Sequence, residues 1–208
     1  MKDLTKIISN NSPNLGFKSD TGDQLLKKLL ILGYSKNIFV KKKLECDAYI
    51  FGTSITSEMN FCSGVQITKS DNLSTLEKTD FILIDNPSDV NFNIYRYKKP
   101  IGIKIKEKLS LLRMNAIEAI NFDFMIYDRV LSPNFNDILD IKELFSNIDT
   151  NCFINIDKSN FNLDYLELIL DIDFSGILVD LDTLNKKEFS NLVKHISNLK
   201  EAKEKKDG

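Results

Sequence analysis

The chain has 208 residues, 42% hydrophobic and 28% charged, with a formal net charge of −2. That is the profile of a soluble globular domain long enough to bury a sizeable core. Interspersed Lys and Asp/Glu leave no broad basic face for nucleic acid. The N-terminus lacks the apolar core of a secretory leader, and its longest apolar run, Leu29–Tyr34, falls far short of the roughly 20 residues a membrane span needs.

In chain order, Lys2–Ser9 reads as a short helix broken by Asn10–Asn14, and Leu15–Lys18 as a first strand. Asp23–Leu32 has the broad apolar face of a helix, and Lys36–Leu44 continues as a second. Asp47–Phe51 and Gly64–Thr68 are strands whose connection, Gly52–Ser63, is too short for more than a turn of helix. Asp71–Lys78 follows as a short capped helix and Phe81–Asp85 as the fourth strand. Asn86–Lys99, with Pro87 and several Asn, reads as an irregular loop.

The second half alternates cleanly. Strands at Ile101–Lys106, Phe124–Asp128, Phe153–Ile156 and Gly176–Val179 are separated by helical stretches at Leu109–Ile120, Asn136–Ile148 and Leu163–Leu170. A last amphipathic helix, Lys186–Lys203, runs into a charged tail. Residues 1–200 therefore read as one α/β domain, and residues 201–208 as a tail expected to fray.

Buried strands alternating with helices force parallel pairing, because parallel strands need long crossovers. Eight such strands predict a compact (β/α)8 barrel of the TIM type, trimmed of helices after strands two and four and closed by Leu15–Lys18 against Gly176–Val179. The alternative is an open doubly wound parallel sheet. That fold usually carries a Gly-rich turn after its first strand, and Gly16–Gly22 has the wrong spacing for one.

Ser12-Pro-Asn-Leu-Gly-Phe17 after a short helix, Cys46-Asp-Ala-Tyr-Ile50, and the strands from Asp80 through Lys104 to Ile126 resemble a family of small, largely uncharacterised bacterial proteins with a barrel-like reading. The resemblance implies the fold and transfers no catalytic residue.

A barrel of this kind works at the C-terminal ends of its strands. Asp85, Lys106, Asp128, Asp157 and Asp180 fall at those ends, with Arg129, Lys158 and Asp182 close by. Lys104 is more specific. Strand alternation puts Ile101, Ile103 and Ile105 on one face and Gly102 and Lys104 on the other, inside the barrel. The candidate catalytic set is Lys104 with Asp85 and with Asp128 or Asp157, the lysine as amine nucleophile or electrostatic anchor and a carboxylate as base. A purely structural Lys–Asp pair is the rival reading. The carboxylates, Asp180-Leu-Asp182 included, are also the hard oxygen donors that Mg2+ uses. No organic cofactor is implied.

Several chemistries fall away. His195 is the single histidine and lies on the last helix, which removes Ser-His-Asp and Cys-His mechanisms and histidine-based zinc sites. There is no Gly-x-Gly-x-x-Gly or Walker loop. The segments after strands seven and eight lack the glycines of a barrel phosphate site. Cys46, Cys62 and Cys152 show no paired motif and suit the reduced thiols of a cytoplasm. The expectation is a cytoplasmic barrel binding a small-molecule ligand, either as a lyase or aldolase-like enzyme on a small carbonyl or carboxylate compound or as a non-catalytic binding or scaffold subunit. A homodimer is also expected, because the thin connections Gly52–Ser63 and Asn86–Lys99 would leave Met59, Phe61, Phe92, Ile94, Tyr95 and Tyr97 to cover the sheet or meet another chain.

Overall fold

Strands buried on both faces need no polar alternation, and the short Ile-, Leu- and Phe-rich runs of this chain form such strands. The computed structural model describes residues 4–9, 29–38, 44–55, 57–68, 76–129, 131–132 and 134–204. Eight parallel strands close into a barrel: β1 Leu30–Ser35, β2 Ala48–Phe51, β3 Ser63–Ile67, β4 Phe81–Ile84, β5 Ile101–Ile105, β6 Phe124–Tyr127, β7 Cys152–Ile156 and β8 Gly176–Asp180. Each strand pairs with its neighbours in sequence, and β8 returns to β1 with Leu30 opposite Gly176 and Tyr34 opposite Asp180. This is a TIM-type barrel, and the open sheet is excluded.

Helices α2 Leu111–Ile120, α3 Phe135–Asn147, α4 Leu163–Asp171 and α5 Lys186–Glu204 follow β5 to β8, while the short α1, Leu4–Ser9, precedes the barrel. Ser110, Asn134 and Asn162 cap α2, α3 and α4, each accepting from the backbone N–H three residues on. Between β4 and β5 there are only two 3-10 turns, Pro87–Asp89 and Phe92–Arg96. Met59, Phe61 and Tyr97 pack on the outer core and Ile94 is buried, so these connections fold back over the sheet. The side chains of Phe92 and Tyr95 lie outside the described set.

Two apolar clusters result. The larger lies between the outer strand faces and the helices. The smaller fills the barrel and joins Leu30, Leu32, Phe81, Phe124, Phe153 and Leu178 to Leu4 and Ile8 of α1, which seals the end where the strands begin. Its floor repeats one device. Phe81, Phe124 and Phe153 sit directly across from Gly64, Gly102 and Gly176 on neighbouring strands. A Cβ on Gly102 would lie 2.2 Å from the Phe124 ring, and one on Gly64 would lie 2.3 Å from Phe81. The glycines make room for aromatic rings that then pack edge to face, with centroids 5.6 and 6.2 Å apart.

The first strand differs from expectation. Leu15–Lys18 lies outside the described residues, and the strand that closes on β8 is Leu30–Ser35, so Leu30–Leu32 are not the end of a helix. A leucine run buried on both sides carries no period to separate helix from central strand. Lys36, Asn37, Ile38 and Leu44, expected in a second helix, are not helical, and the remainder of that stretch is outside the described residues. Of Asp71–Lys78, the described part is a tight turn. The last helix continues to Glu204, so the expected tail begins as helix.

Candidate functional site

The inward faces of the strands change character toward their C-terminal ends. On β4 the series is Phe81, Leu83 and then Asp85; on β6 it is Phe124, Ile126 and Asp128; on β5 Gly102 is followed by Lys104. Asp85 and Asp128 lie one residue past their strands, yet each still donates its backbone N–H into the ladder, to the carbonyls of Ile67 and Ile105. The ladder thus fixes both carboxylates over the mouth.

Lys104 stands between them. Its Nζ is 3.4 Å from Asp85 Oδ1 and 3.6 Å from Asp128 Oδ2, with the lysine side chain 10% exposed. The second oxygen of Asp85 takes Lys106 Nζ at 2.8 Å. The second oxygen of Asp128 accepts from Asn155 Nδ2 on β7. Lys104 also lies 5.6 Å from the ring centroid of Tyr34, the inward residue near the end of β1. Burial, and then the negative charges of Asp180, Asp182 and Asp85, hold the Tyr34 phenol above its ordinary value. It therefore remains a neutral hydrogen-bonding group over the mouth at neutral pH.

Lys104, Asp85 and Asp128 are brought together; Asp157 is not part of that group. Its side chain accepts from the backbone N–H and the hydroxyl of Ser159, capping the 3-10 turn Lys158–Asn160. Asp180 behaves similarly, with Oδ1 accepting from Asp182 N at 2.9 Å. Asp182 in turn binds Ser35 Oγ and Lys36 N, both at 2.8 Å, and so ties the β1 end to the β8 loop. The acids after β7 and β8 are loop-formers first, and among the described residues no three His, Cys, Asp or Glu side chains converge to hold a metal ion.

A cleft of about 290 Å³ opens beside Asp128, over the ends of β6, β7 and β8, with Asn155, Asp157, Lys158, Asp180 and Arg129 in its wall. Arg129 is partly buried and stacks over Tyr127, 5.8 Å from guanidinium carbon to ring centroid, and no described carboxylate forms an ion pair with it. Gln66 on β3 shares its strand face with Gly64 and points to the same end of the barrel. Its Oε1 is buried and has no hydrogen-bond partner among the described residues. Tyr34 and Gln66 were missed by a search for charge at strand ends, although the alternation that located Lys104 reaches Gln66 from Gly64. Tyr34 needed the true first strand.

The thiols are not reactive groups here. Burial pushes Cys46 up to about 12 and raises Cys152 further, and Cys62 is buried. No described helix is long and apolar enough to cross a membrane.

No family model matches the chain, and no curated protein matches its sequence. Solved structures do match its fold. The 3-keto-L-gulonate-6-phosphate decarboxylase from Vibrio cholerae superposes with a TM-score of 0.56 at 11% identity, covering 82% of this chain and 98% of that one. KGPDC from Streptococcus mutans gives 0.56 at 9% identity, with 82% and 98% covered. A mutant tryptophan synthase alpha-subunit from the hyperthermophile Pyrococcus furiosus gives 0.55 at 7% identity, with 81% and 96% covered. At such identities the likeness establishes the TIM-type fold.

Proposed function

We propose that the mouth binds a small, unphosphorylated carbonyl or carboxylate compound and acts on it as a lyase, with Lys104 as its cationic centre. One observation carries this reading: a largely buried ammonium held between two carboxylates at the strand ends, beside an open cleft. When a bond next to a carbonyl breaks, the electron pair left behind moves onto the carbonyl oxygen as an enolate. A fixed cation in a water-poor site stabilises that oxygen far better than bulk water does. Asp128, which borders both Lys104 and the cleft, is placed to take or return the proton. In the covalent variant Lys104 first passes a proton to Asp85 or Asp128, its free amine adds to the carbonyl, and the carbonyl oxygen departs as water. Arg129 supplies a two-pronged donor for a substrate carboxylate, and the orphaned Gln66 Oε1 an acceptor for a substrate hydroxyl.

The absence of phosphate from the ligand follows from the loops. Barrels commonly grip phosphate with the loops after β7 and β8 and a helix N-terminus nearby. Here the amides of Ser159 and Asp182 are already bonded to Asp157 and Asp180, and those carboxylates would repel a phosphate. The decarboxylase from Vibrio cholerae, whose name includes a 6-phosphate, offers support by analogy for lyase chemistry on this scaffold and not for its substrate.

A thermal-shift screen of small keto acids, aldehydes and hydroxy acids tests the reading, since a ligand that binds only the folded state raises the melting temperature. The expected hit loses its shift in Lys104→Met and in Arg129→Gln, and the phosphorylated analogue gives none. Borohydride added with a carbonyl hit then labels Lys104 if the imine forms. A ligand whose binding ignores Lys104→Met would refute the site. The mutual pairing of Lys104, Lys106, Asp85, Asp128 and Asn155 favours a second reading, a non-catalytic binding barrel; under it the hit binds but is recovered unchanged.

A further inference from the structure

The registers of the strand pairs sort the inward side chains of the barrel into layers, each drawn from alternate strands. The uppermost layer from the odd strands is Tyr34, Gln66, Lys104 and Asn155, polar throughout. It rests on Ile50, Leu83, Ile126 and Leu178 from the even strands, all buried. Above it, at the rim, β4, β6 and β8 end in Asp85, Asp128 and Asp180, whereas β2 ends in Gly52. A Cβ on Gly52 would lie 3.0 Å from the Tyr34 hydroxyl, so the phenol leans over the place where a fourth acid would stand. The two halves of the polar layer differ. Lys104 and Asn155 are paired within the protein, to Asp85 and Asp128. Tyr34 and Gln66, which flank β2, form no hydrogen bond with a described residue, and Gln66 Oε1 is buried. A buried amide oxygen without a donor costs stability, and folded proteins leave few of them.

We propose that Tyr34 and Gln66 form a subsite for a hydroxyl group of the ligand, which makes the compound bound in the mouth a hydroxy carbonyl. The inference rests on the reading of Lys104 as the cation that holds the carbonyl oxygen. Both subsite groups are neutral, and each can donate and accept, the amide by a half-turn about its last bond. A hydroxyl is likewise donor and acceptor, so it pairs with both at once. A carboxylate only accepts, and the charges of Asp180 and Asp85, which already act on the phenol, would repel it. An ammonium only donates and leaves the phenol proton unpaired. An alkyl group leaves both groups unpaired in a site that its own arrival has dried. Lys104 belongs to the same layer and lies 5.6 Å from the Tyr34 ring centroid, so one small molecule reaches both. The cleft walled by Arg129 opens over β6 to β8, away from β2, so the hydroxyl end and a carboxylate end of the ligand fall on different sides of the mouth.

The test measures melting-temperature shifts of the full chain with matched probes that differ in hydroxylation: acetone against dihydroxyacetone, butanone against erythrulose, and pyruvate against hydroxypyruvate. The hydroxylated member of at least one pair is expected to bind about tenfold more tightly, and Tyr34→Phe and Gln66→Leu each to remove most of that preference. Gln66→Leu is also expected to raise the melting temperature of the unliganded chain by about 2 °C or more, because it removes an unpaired acceptor without opening a cavity. A fall in that temperature would show Gln66 to be a satisfied structural group and would overturn the assignment. Binding that needs Lys104 but ignores the hydroxyl, or a preference that survives both changes, would overturn the subsite and leave the lyase reading standing. No shift with any pair would likewise overturn the subsite. Binding indifferent to Lys104→Met would overturn the lyase reading and the subsite with it.

Discussion

The floor and the mouth of the barrel are built from the same strands and stabilised by opposite means. Below, Phe81, Phe124 and Phe153 fill the interior against glycines and α1, with no polar atom to satisfy. Above, two to four residues along the same strand faces, the interior holds Lys104, Asp85, Asp128 and Asn155. Apolar packing tolerates no alternative arrangement without loss of contact. A charged layer is stable only while each charge keeps its partner. The floor can therefore carry the stability of the barrel and leave the mouth free to exchange partners with a ligand.

The sharpest way to break this comparison is at the floor. Phe124 is fully buried and touches both other rings, so Phe124→Ala is expected to cost about 3–5 kcal/mol in a urea titration. A loss under about 1 kcal/mol would show that the rings do not hold the barrel together as assigned. At the mouth, Lys104→Met keeps the stem of the side chain and removes the charge. Asp85 retains Lys106 and Asp128 retains Asn155, so the expected cost is smaller, about 1–3 kcal/mol, and adding Asp85→Asn and Asp128→Asn should recover most of it. If the triple variant were worse than the single one, the ion pairs would not be the reason for the loss.

The smallest effect is expected from pH. Tyr34, Tyr49, Tyr97 and Tyr127 are raised mainly by burial, and Cys46 and Tyr165 are each pushed up to about 12. These groups hold their protons longer folded than unfolded. Between their ordinary values and their folded values the unfolded chain binds fewer protons than the native one, and stability falls with rising pH. Melting temperature should thus stay level across neutral pH as far as these groups are concerned, and decline from about pH 9 toward pH 12. A stability that rose across that alkaline range would contradict the buried placement of the phenols.

Sequence alone was enough for the second half of the barrel. Short apolar runs closing on a charged residue, alternating with capped helices, mark parallel β/α units. Strict alternation on Ile101-Gly-Ile-Lys-Ile105 places Lys104 inside because its isoleucines must face the helices. The choice of a closed barrel over an open sheet was made by the pairing of β8 with β1. Strands buried on both faces are legible in that half because each apolar run is short and bounded by polar or turn residues. That punctuation is missing at Leu29–Leu32, where the leucines continue the helical spacing of Leu25 and Leu26 without a break, and so the strand that closes the barrel was misplaced. Only the closed sheet decided which strand-end acids share the mouth. Asp85 and Asp128 flank β5 on neighbouring strands and meet Lys104, whereas Asp157 and Asp180, alike in sequence, turn back to cap their own loops because free backbone N–H groups lie within two residues of each. Partner choice among similar carboxylates is a matter of distance in space, which one-dimensional order does not contain.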